Sequence, residues 1–205
     1  MNVGIVILAA GASSRMGVPK QLLHIDGLSL IKRMTEMAMD TPCYPVVVVL
    51  GANRQLIRKE LERMPITIID NPQWENGMSS SLKMGLVGSY MTFKELEAVI
   101  FLTVDMPLVS VELIQKMIEK AEIVAEDRKE SPDIVACKYN GQIGIPVLFK
   151  RKMFNQLLEL KGDNGAKKVI LANKEHTATI DFPEGKIDLD TMEEYRKFLS
   201  NYNQN

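Results

Sequence analysis

Apolar runs and amphipathic stretches alternate along almost the whole chain. Val3, Ile5, Val6, Ile7 and Leu8 form a run without polar alternation, the pattern of a strand covered on both faces. From Ser29 to Met39 the apolar positions Ile31, Met34 and Ala38 recur at helical spacing. Val46 to Leu50 reads as a second buried strand. Asn53 to Met64 reads as a helix with Ile57, Leu61 and Met64 on one face, and Thr67 to Ile69 as a third short strand. Asp70 to Met78 is expected to be a loop and Ser79 to about Gly88 a short helix. Ala98 to Thr103 makes a strand that stops at Val104-Asp105-Met106-Pro107. The clearest helix follows over Val111 to Ala125, where Ile114, Met117, Ile118, Ala121 and Ala125 share a face.

Glu126 to Pro132 reads as a solvated connector. Beyond it the pattern predicts strands near Ile134–Tyr139, Ile145–Phe149 and Thr177–Phe182, with helices near Lys152–Leu160 and Gly165–Ala172. Thr191 and Glu194 make a capping-box start for a closing helix lined by Met192, Tyr195, Phe198 and Leu199, and Ser200–Asn205 reads as a frayed tail. No repeat, low-complexity tract or linker divides the chain. The alternation predicts a mainly parallel, three-layer α/β/α sheet, an architecture that binds ligands at the carboxyl ends of its strands.

Composition narrows this picture. With 205 residues and 46% hydrophobic content, one sizeable core is expected, hence a single domain spanning 1–205. Twenty-five basic and 26 acidic residues give a formal charge of −1 without a long like-charge block, so neither nucleic acid nor a membrane is expected as a partner. Cys43 and Cys137 lack metal-type spacing, and no arginine-rich or secretory leader precedes the first strand, which predicts a cytoplasmic setting. His24 and His176 belong to no recognisable catalytic or zinc arrangement, and the 13 methionines suit helix-to-sheet packing.

The chemistry is concentrated after the first strand, in LAAGASSRMGVPKQLL. Ala9, Ala10, Gly11, Ala12, Ser13 and Ser14 lack bulk, so a ligand can approach backbone N–H groups. Arg15 and Lys20 add a guanidinium fork and a mobile ammonium, which points to a polyphosphate. The spacing fits neither the Walker loop nor the GxGxxG dinucleotide fingerprint, which disfavours P-loop ATPase and hydride-transfer readings. At the end of a later strand Asp105 offers a hard oxygen ligand for Mg²⁺, or else a cap for the turn before Pro107. Asp188 and Asp190 in IDLDT offer the second ligand or the acidic start of a helix.

These motifs resemble those of the MobA-like nucleotidyltransferases over nearly the whole chain. That resemblance implies a Rossmann-like nucleotide-diphospho-sugar-transferase fold, an NTP held by Leu8, Ala9, Ala10, Gly11, Ala12 and Ser13, and phosphates neutralised by Arg15 and Lys20 as the catalytic cations. Leu8-Ala9-Ala10-Gly11 matches the LAAG of the molybdenum-cofactor cytidylyltransferase branch, where the guanylyltransferases read LAGG. The Ala10 methyl leaves less room than Gly, which favours a smaller base and hence CTP, although one methyl gives only about 1–3 kcal/mol of discrimination. Asn71 to Leu82 is similar to the family's base and ribose loop, implicating Asn71, Gly77, Ser79, Ser80 and Ser81. Ordinary helix capping explains each of these serines equally well.

FLTVDMP resembles the family's metal-binding Asp motif, placing Asp105 at both nucleotide and metal, and IDLDT looks like its DIDTPED run, with Asp190 slightly ahead of Asp188. Gly144-Ile145-Pro146 and Gly162-Asp163-Asn164-Gly165-Ala166-Lys167 resemble acceptor elements written GHP and GDxGAR, which assigns Gly144, Pro146, Asp163, Gly165 and Lys167 to the acceptor. Ile145 replaces the His and Lys167 the Arg, so the acceptor is open to differ from molybdopterin.

Residues 1–110 are then mainly nucleotide-binding, and 130–190 carry the acceptor side and second metal ligand. The implied activity is Mg²⁺-dependent transfer of CMP from CTP to a phosphorylated small molecule such as molybdopterin, with transient contact to a molybdoenzyme or its chaperone. A transferase for a sugar 1-phosphate or another phosphorylated alcohol is the alternative, followed by a noncatalytic nucleotide-binding chaperone.

Overall fold

A strand with no polar face has to be covered twice, and β1 (Val3–Ala9) is buried at every position. In the computed structural model, which describes residues 1–124 and 130–202, β1 pairs in parallel with β4 (Val46–Leu50) on one side and β6 (Ala98–Thr103) on the other. β5 (Thr67–Asp70) extends the sheet in parallel beyond β4. Past β6, β8 (Gln142–Lys150) runs antiparallel to β6 and to β7 (Ile134–Tyr139), and β9 (Thr177–Asp181) pairs in parallel with β7. The resulting seven-stranded, mostly parallel sheet has the order β5-β4-β1-β6-β8-β7-β9. β2 (His24–Ile25) and β3 (Leu28–Ser29) form a separate hairpin. Two-residue strands leave no alternation to read, but the turn Asp26-Gly27, with both φ values positive (52° and 80°), is the signal for it.

Alternation along β1 assigns its two coverings. Ile5 and Ile7 face α1 (Leu30–Met39), α2 (Arg54–Glu60), α4 (Val111–Glu122) and α7 (Met192–Tyr202). Val6 and Leu8 face α3 (Met78–Thr92), α5 (Phe154–Leu158) and α6 (Ala166–Ala172). The three layers expected from the pattern are therefore present. Among the described residues no helix is long and apolar enough to cross a membrane.

Several boundaries differ from the pattern. α2 stops at Glu60, and Met64 reaches the core through a turn in which Arg63 is left-handed (φ 67°), not along the expected helix. Ser200, Asn201 and Tyr202 are helical where a frayed tail was expected, held by Phe198–Tyr202 stacking at 5.2 Å and by the Arg33 Nη2 bond to Tyr202 Oη at 3.0 Å. α4 stops at Glu122, short of the expected Ala125, because Ile123 turns to extended backbone. Ala125, most of the expected Glu126–Pro132 connector and residues 203–205 lie outside the described residues.

α3 runs to Thr92, past the Gly88 where the sequence suggests an end, because its glycines are contact surfaces. A Cβ at Gly85 would overlap Val6 Cγ1, and one at Gly88 would overlap Ile69 Cδ1. Small residues thus let α3 lie close against β1 and β5. Gly85→Val is expected to lower stability by about 1–3 kcal/mol through overpacking against a branched side chain that has no free end to swing away. Urea denaturation should show a lower midpoint, and an unchanged midpoint would refute the tight seat.

The connections also fix where a ligand can enter. From β1 the chain moves outward through β4 to β5, then returns through α3 to β6 on the opposite side of β1. The loops after β1 and β6 diverge at this switch point, leaving a crevice at the strands' carboxyl ends.

Candidate active site

The small-residue loop after β1 is folded by a residue that the motif reading passes over. Gln21 is buried, and its Nε2 donates to Ala9 O and Gly11 O at 2.9 Å each. Ser13, left-handed at φ 55°, accepts the Lys20 N–H at its Oγ over 3.0 Å and points the same hydroxyl toward Gln21 Oε1 at 3.4 Å. These bonds return the chain to the carboxyl end of β1, so Lys20 projects over the crevice. Gln21→Leu leaves two loop carbonyls without their donor, and is expected to cost about 1–3 kcal/mol of stability and to weaken nucleotide binding. Thermal melting with and without CTP measures both effects. An unchanged melting point together with unchanged CTP binding would remove Gln21 as the brace.

The acidic side is assembled from distant segments. Asp105 lies two residues beyond β6, and its carbonyl accepts the Leu189 N–H at 3.1 Å. Leu189 is fully buried, which fixes the register of Asp188 and Asp190 on either side of it. The Thr191–Glu194 capping box forms, with Thr191 N donating to Glu194 Oε2 at 2.8 Å and Glu194 N donating to Thr191 Oγ1 at 3.2 Å. Asp190 N donates to the same Glu194 oxygen at 3.2 Å, so the cap also holds the aspartate.

Asp105, Asp188 and Asp190 each place a carboxylate oxygen within 4.8 Å of the others. Lys20 Nζ reaches Asp105 Oδ2 at 2.5 Å and Asp190 Oδ1 at 2.8 Å, while Arg15 pairs with Asp190 Oδ2. Burial alone would lower the Lys20 pKa, but the two carboxylates outweigh it and hold it above the ordinary value. Desolvation likewise opposes ionisation of Asp190, and bonds to Lys20 and Arg15 override it to keep that carboxyl below its usual range. Asp188 is exposed, and among the described residues it forms no salt bridge with Lys20 or Arg15. Partial desolvation, then the like charges of Asp105 and Asp190, push it up to about 7. An all-oxygen, net-negative donor set of this kind suits a hard divalent cation that retains several waters, and so fits Mg²⁺ or Mn²⁺.

Two cavities meet here. One, of about 390 Å³, is lined by Leu8, Ala9, Ala10, Gly11 and Lys20, and also by Gly77, Ser81 and Asp163. The other, of about 380 Å³, is lined by Gly144, Gly165 and Lys167, together with Tyr139, Lys186 and Asp188. Asp105, Thr103 and Met78 border both.

Other residues singled out in the sequence lie outside both cavities, among them Ala12, Ser79, Ser80 and Pro146. Asn71 is buried and acts inside its own loop. Its Nδ2 donates to Ser80 Oγ at 2.8 Å and Ser81 Oγ at 3.0 Å, and its Oδ1 accepts from Gln73 N at 2.9 Å. Trp74 packs against Gly51, where a Cβ would come within 2.7 Å of the indole. Tyr139, whose hydroxyl donates to Ile145 O at 3.0 Å, and Lys186 complete the second cavity without any motif announcing them.

A mostly parallel sheet with a cationic, small-residue loop facing an oxygen-donor cluster across its switch point is the architecture of an α/β protein that handles nucleotide phosphates. Residues 5–178 match the MobA-like NTP transferase domain, and the chain belongs to that family of nucleotidyltransferases. It is 35% identical over 114 residues to the nicotine blue oxidoreductase of Paenarthrobacter nicotinovorans, a match covering 55% of this chain and 54% of that relative. The chain thus spans only about half the length of that relative. It is 22% identical over 191 residues to the molybdenum cofactor cytidylyltransferase of Escherichia coli K12, covering 93% of this chain and 92% of the other. The crystal structure of the Mycobacterium sp. strain JC1 homologue of Mycobacterium tuberculosis Rv0371c superposes with a TM-score of 0.80 at 26% identity, covering 98% and 97% of the two chains.

Proposed function

We propose that this protein transfers CMP from CTP to a phosphorylated small-molecule acceptor, molybdopterin or its molybdenum-loaded form first among the candidates. The observation that carries the reading is the meeting of two cavities at Asp105, with Lys20 lining one and Asp188 the other, Arg15 paired to Asp190 outside their linings, and the three aspartates forming an oxygen-donor cluster. The nucleotide occupies the cavity over Ala9–Gly11 and the acceptor the cavity beside Gly144, Gly165 and Lys167. Residues 1–110 therefore serve mainly the nucleotide, and residues 130–190 mainly the acceptor and the cluster. Cys43 and Cys137, both buried and free, suit a reducing cytoplasm.

An acceptor phosphate oxygen attacks the α-phosphorus, the new P–O bond forms as the bond to the β-phosphate oxygen breaks, and the electron pair leaves with pyrophosphate. Little covalent work falls to the protein, so positioning and charge neutralisation dominate. Arg15 and Lys20 take up charge on the departing pyrophosphate, and Asp105, Asp188 and Asp190 are the residues that would hold Mg²⁺. When bound, that ion supplies charge neutralisation at phosphate oxygens.

Pyrophosphate release from each NTP, with molybdopterin and separately with sugar 1-phosphates, tests the proposal. CTP- and Mg²⁺-dependent release with molybdopterin supports it, and release with a sugar 1-phosphate redirects the acceptor. Ile145 and Lys167, where the family's acceptor elements carry His and Arg, are the reason to include that arm. The 35%-identical relative named as an oxidoreductase gives reason for a redox arm as well. Oxidation of a reduced pyridine nucleotide without pyrophosphate release would overturn the transferase reading.

A further inference from the structure

We infer that Asp163 reads the base of the nucleotide, an assignment that rests on the NTP reading above and moves this residue away from the acceptor. Its loop is seated on the start of α3. Gly162 O accepts the Ser79 N–H at 3.2 Å, and Gly77, at φ 95°, has no room for a side chain. A Cβ there would overlap Asp163 Oδ1 and lie 2.6 Å from Gly162 O. This close approach holds the Asp163 carboxylate at the wall of the Ala9–Gly11 cavity, while Gly165 and Lys167 of the same motif face the other one.

Charge divides the nucleotide cavity. Lys20 borders it beside Asp105 and draws phosphates, whereas a carboxylate repels them, so Asp163 is left to meet the nucleoside. Among the described residues Asp163 makes no salt bridge with Lys20 or Arg15, whose partners are Asp105 and Asp190. An ionised carboxylate only accepts hydrogen bonds. It therefore favours a base that presents an exocyclic amine, such as the N4 group of cytosine, and disfavours uracil, which presents the O4 carbonyl at the same place. Ala10 limits the cavity's size and so favours a pyrimidine over a purine, and Asp163 sets its polarity and so favours cytosine over uracil.

The test is calorimetric binding of CTP, UTP, GTP, ATP and inorganic tripolyphosphate, each with Mg²⁺, to the wild-type chain, Asp163→Asn and Glu75→Gln. The amide of Asp163→Asn donates to O4, so the CTP-to-UTP preference is expected to fall by about ten- to a hundredfold while tripolyphosphate affinity and melting temperature hold. Glu75 is a second carboxylate lining this cavity, so Glu75→Gln separates the two: the base is assigned to Asp163 only if Asp163→Asn shifts the ratio and Glu75→Gln does not. An unchanged ratio in Asp163→Asn, an equal loss for all four nucleotides, or a change confined to Glu75→Gln would overturn the assignment. Failure of the wild-type chain to bind any nucleotide would instead overturn the NTP reading itself.

Discussion

Lys20→Ala is expected to lower turnover by about 10²-fold or more, the cost of removing one preorganised charge from a phosphoryl-transfer site. Lys20 is mostly buried, as is its partner Asp105, with 16% and 17% of their side-chain surfaces exposed, so solvent screens the pair only weakly. Its ammonium is shared by Asp105 and Asp190. Truncation therefore removes charge from the triphosphate and also leaves the carboxylates facing one another. Two results should follow in the same variant: pyrophosphate release falls, and the melting temperature without divalent ion drops but recovers disproportionately with Mn²⁺ or Mg²⁺. The Lys20 pKa lies above the ordinary 10.5, so its contribution is fully present below about pH 10 and is lost only above that. Across pH 6 to 9 the lysine is constant, and unchanged turnover in Lys20→Ala would remove it from the chemistry.

Asp188→Asn is expected to separate stability from function. The Asp188 carboxyl titrates at about 7 in the fold against an ordinary value near 3.8, so between those values the native state holds a proton that the unfolded chain has released. Stability consequently falls as pH rises through that window, and the full penalty is present above about 7. Without metal, the variant should melt with the wild type near pH 4 and increasingly above it as pH approaches 8. With Mn²⁺ the order should reverse, because the wild type alone retains all three carboxylates, and the amide oxygen of the variant brings no negative charge to the ion. Turnover should fall on the order of 10²-fold, since metal charge stabilisation is worth several kcal/mol in such reactions. If Mn²⁺ stabilised both proteins equally, Asp188 would not belong to the metal site.

Reading the sequence recovers the strands well because they are buried on both faces. The continuous runs Val3–Leu8, Val46–Leu50 and Ala98–Thr103 fall within β1, β4 and β6. It does less well where glycine has two meanings. Gly88 reads as a helix end by propensity, yet in α3 it is the point where helix and sheet touch, and only the neighbouring Ile69 reveals that. The local motif LAAGASSR likewise suggests an anion loop but not the brace that folds it. Gln21 is an ordinary polar residue in sequence, and its function comes from burial beside Ala9 O and Gly11 O.

Thus the order of apolar runs sufficed for a mainly parallel α/β architecture, and the small-residue loop for the expectation of a phosphate site, because both are encoded in contiguous residues. Folding had to decide the rest. Asp105 and Asp190 are 85 residues apart, yet the backbone bond from Leu189 to Asp105 and the Thr191–Glu194 cap bring their carboxylates together on Lys20. Asp163 belongs by motif with Lys167, but the bond from Ser79 to Gly162 turns it toward the other cavity. Spacing along a chain carries no information about which long-range backbone groups pair, and those pairings set which charges share a site.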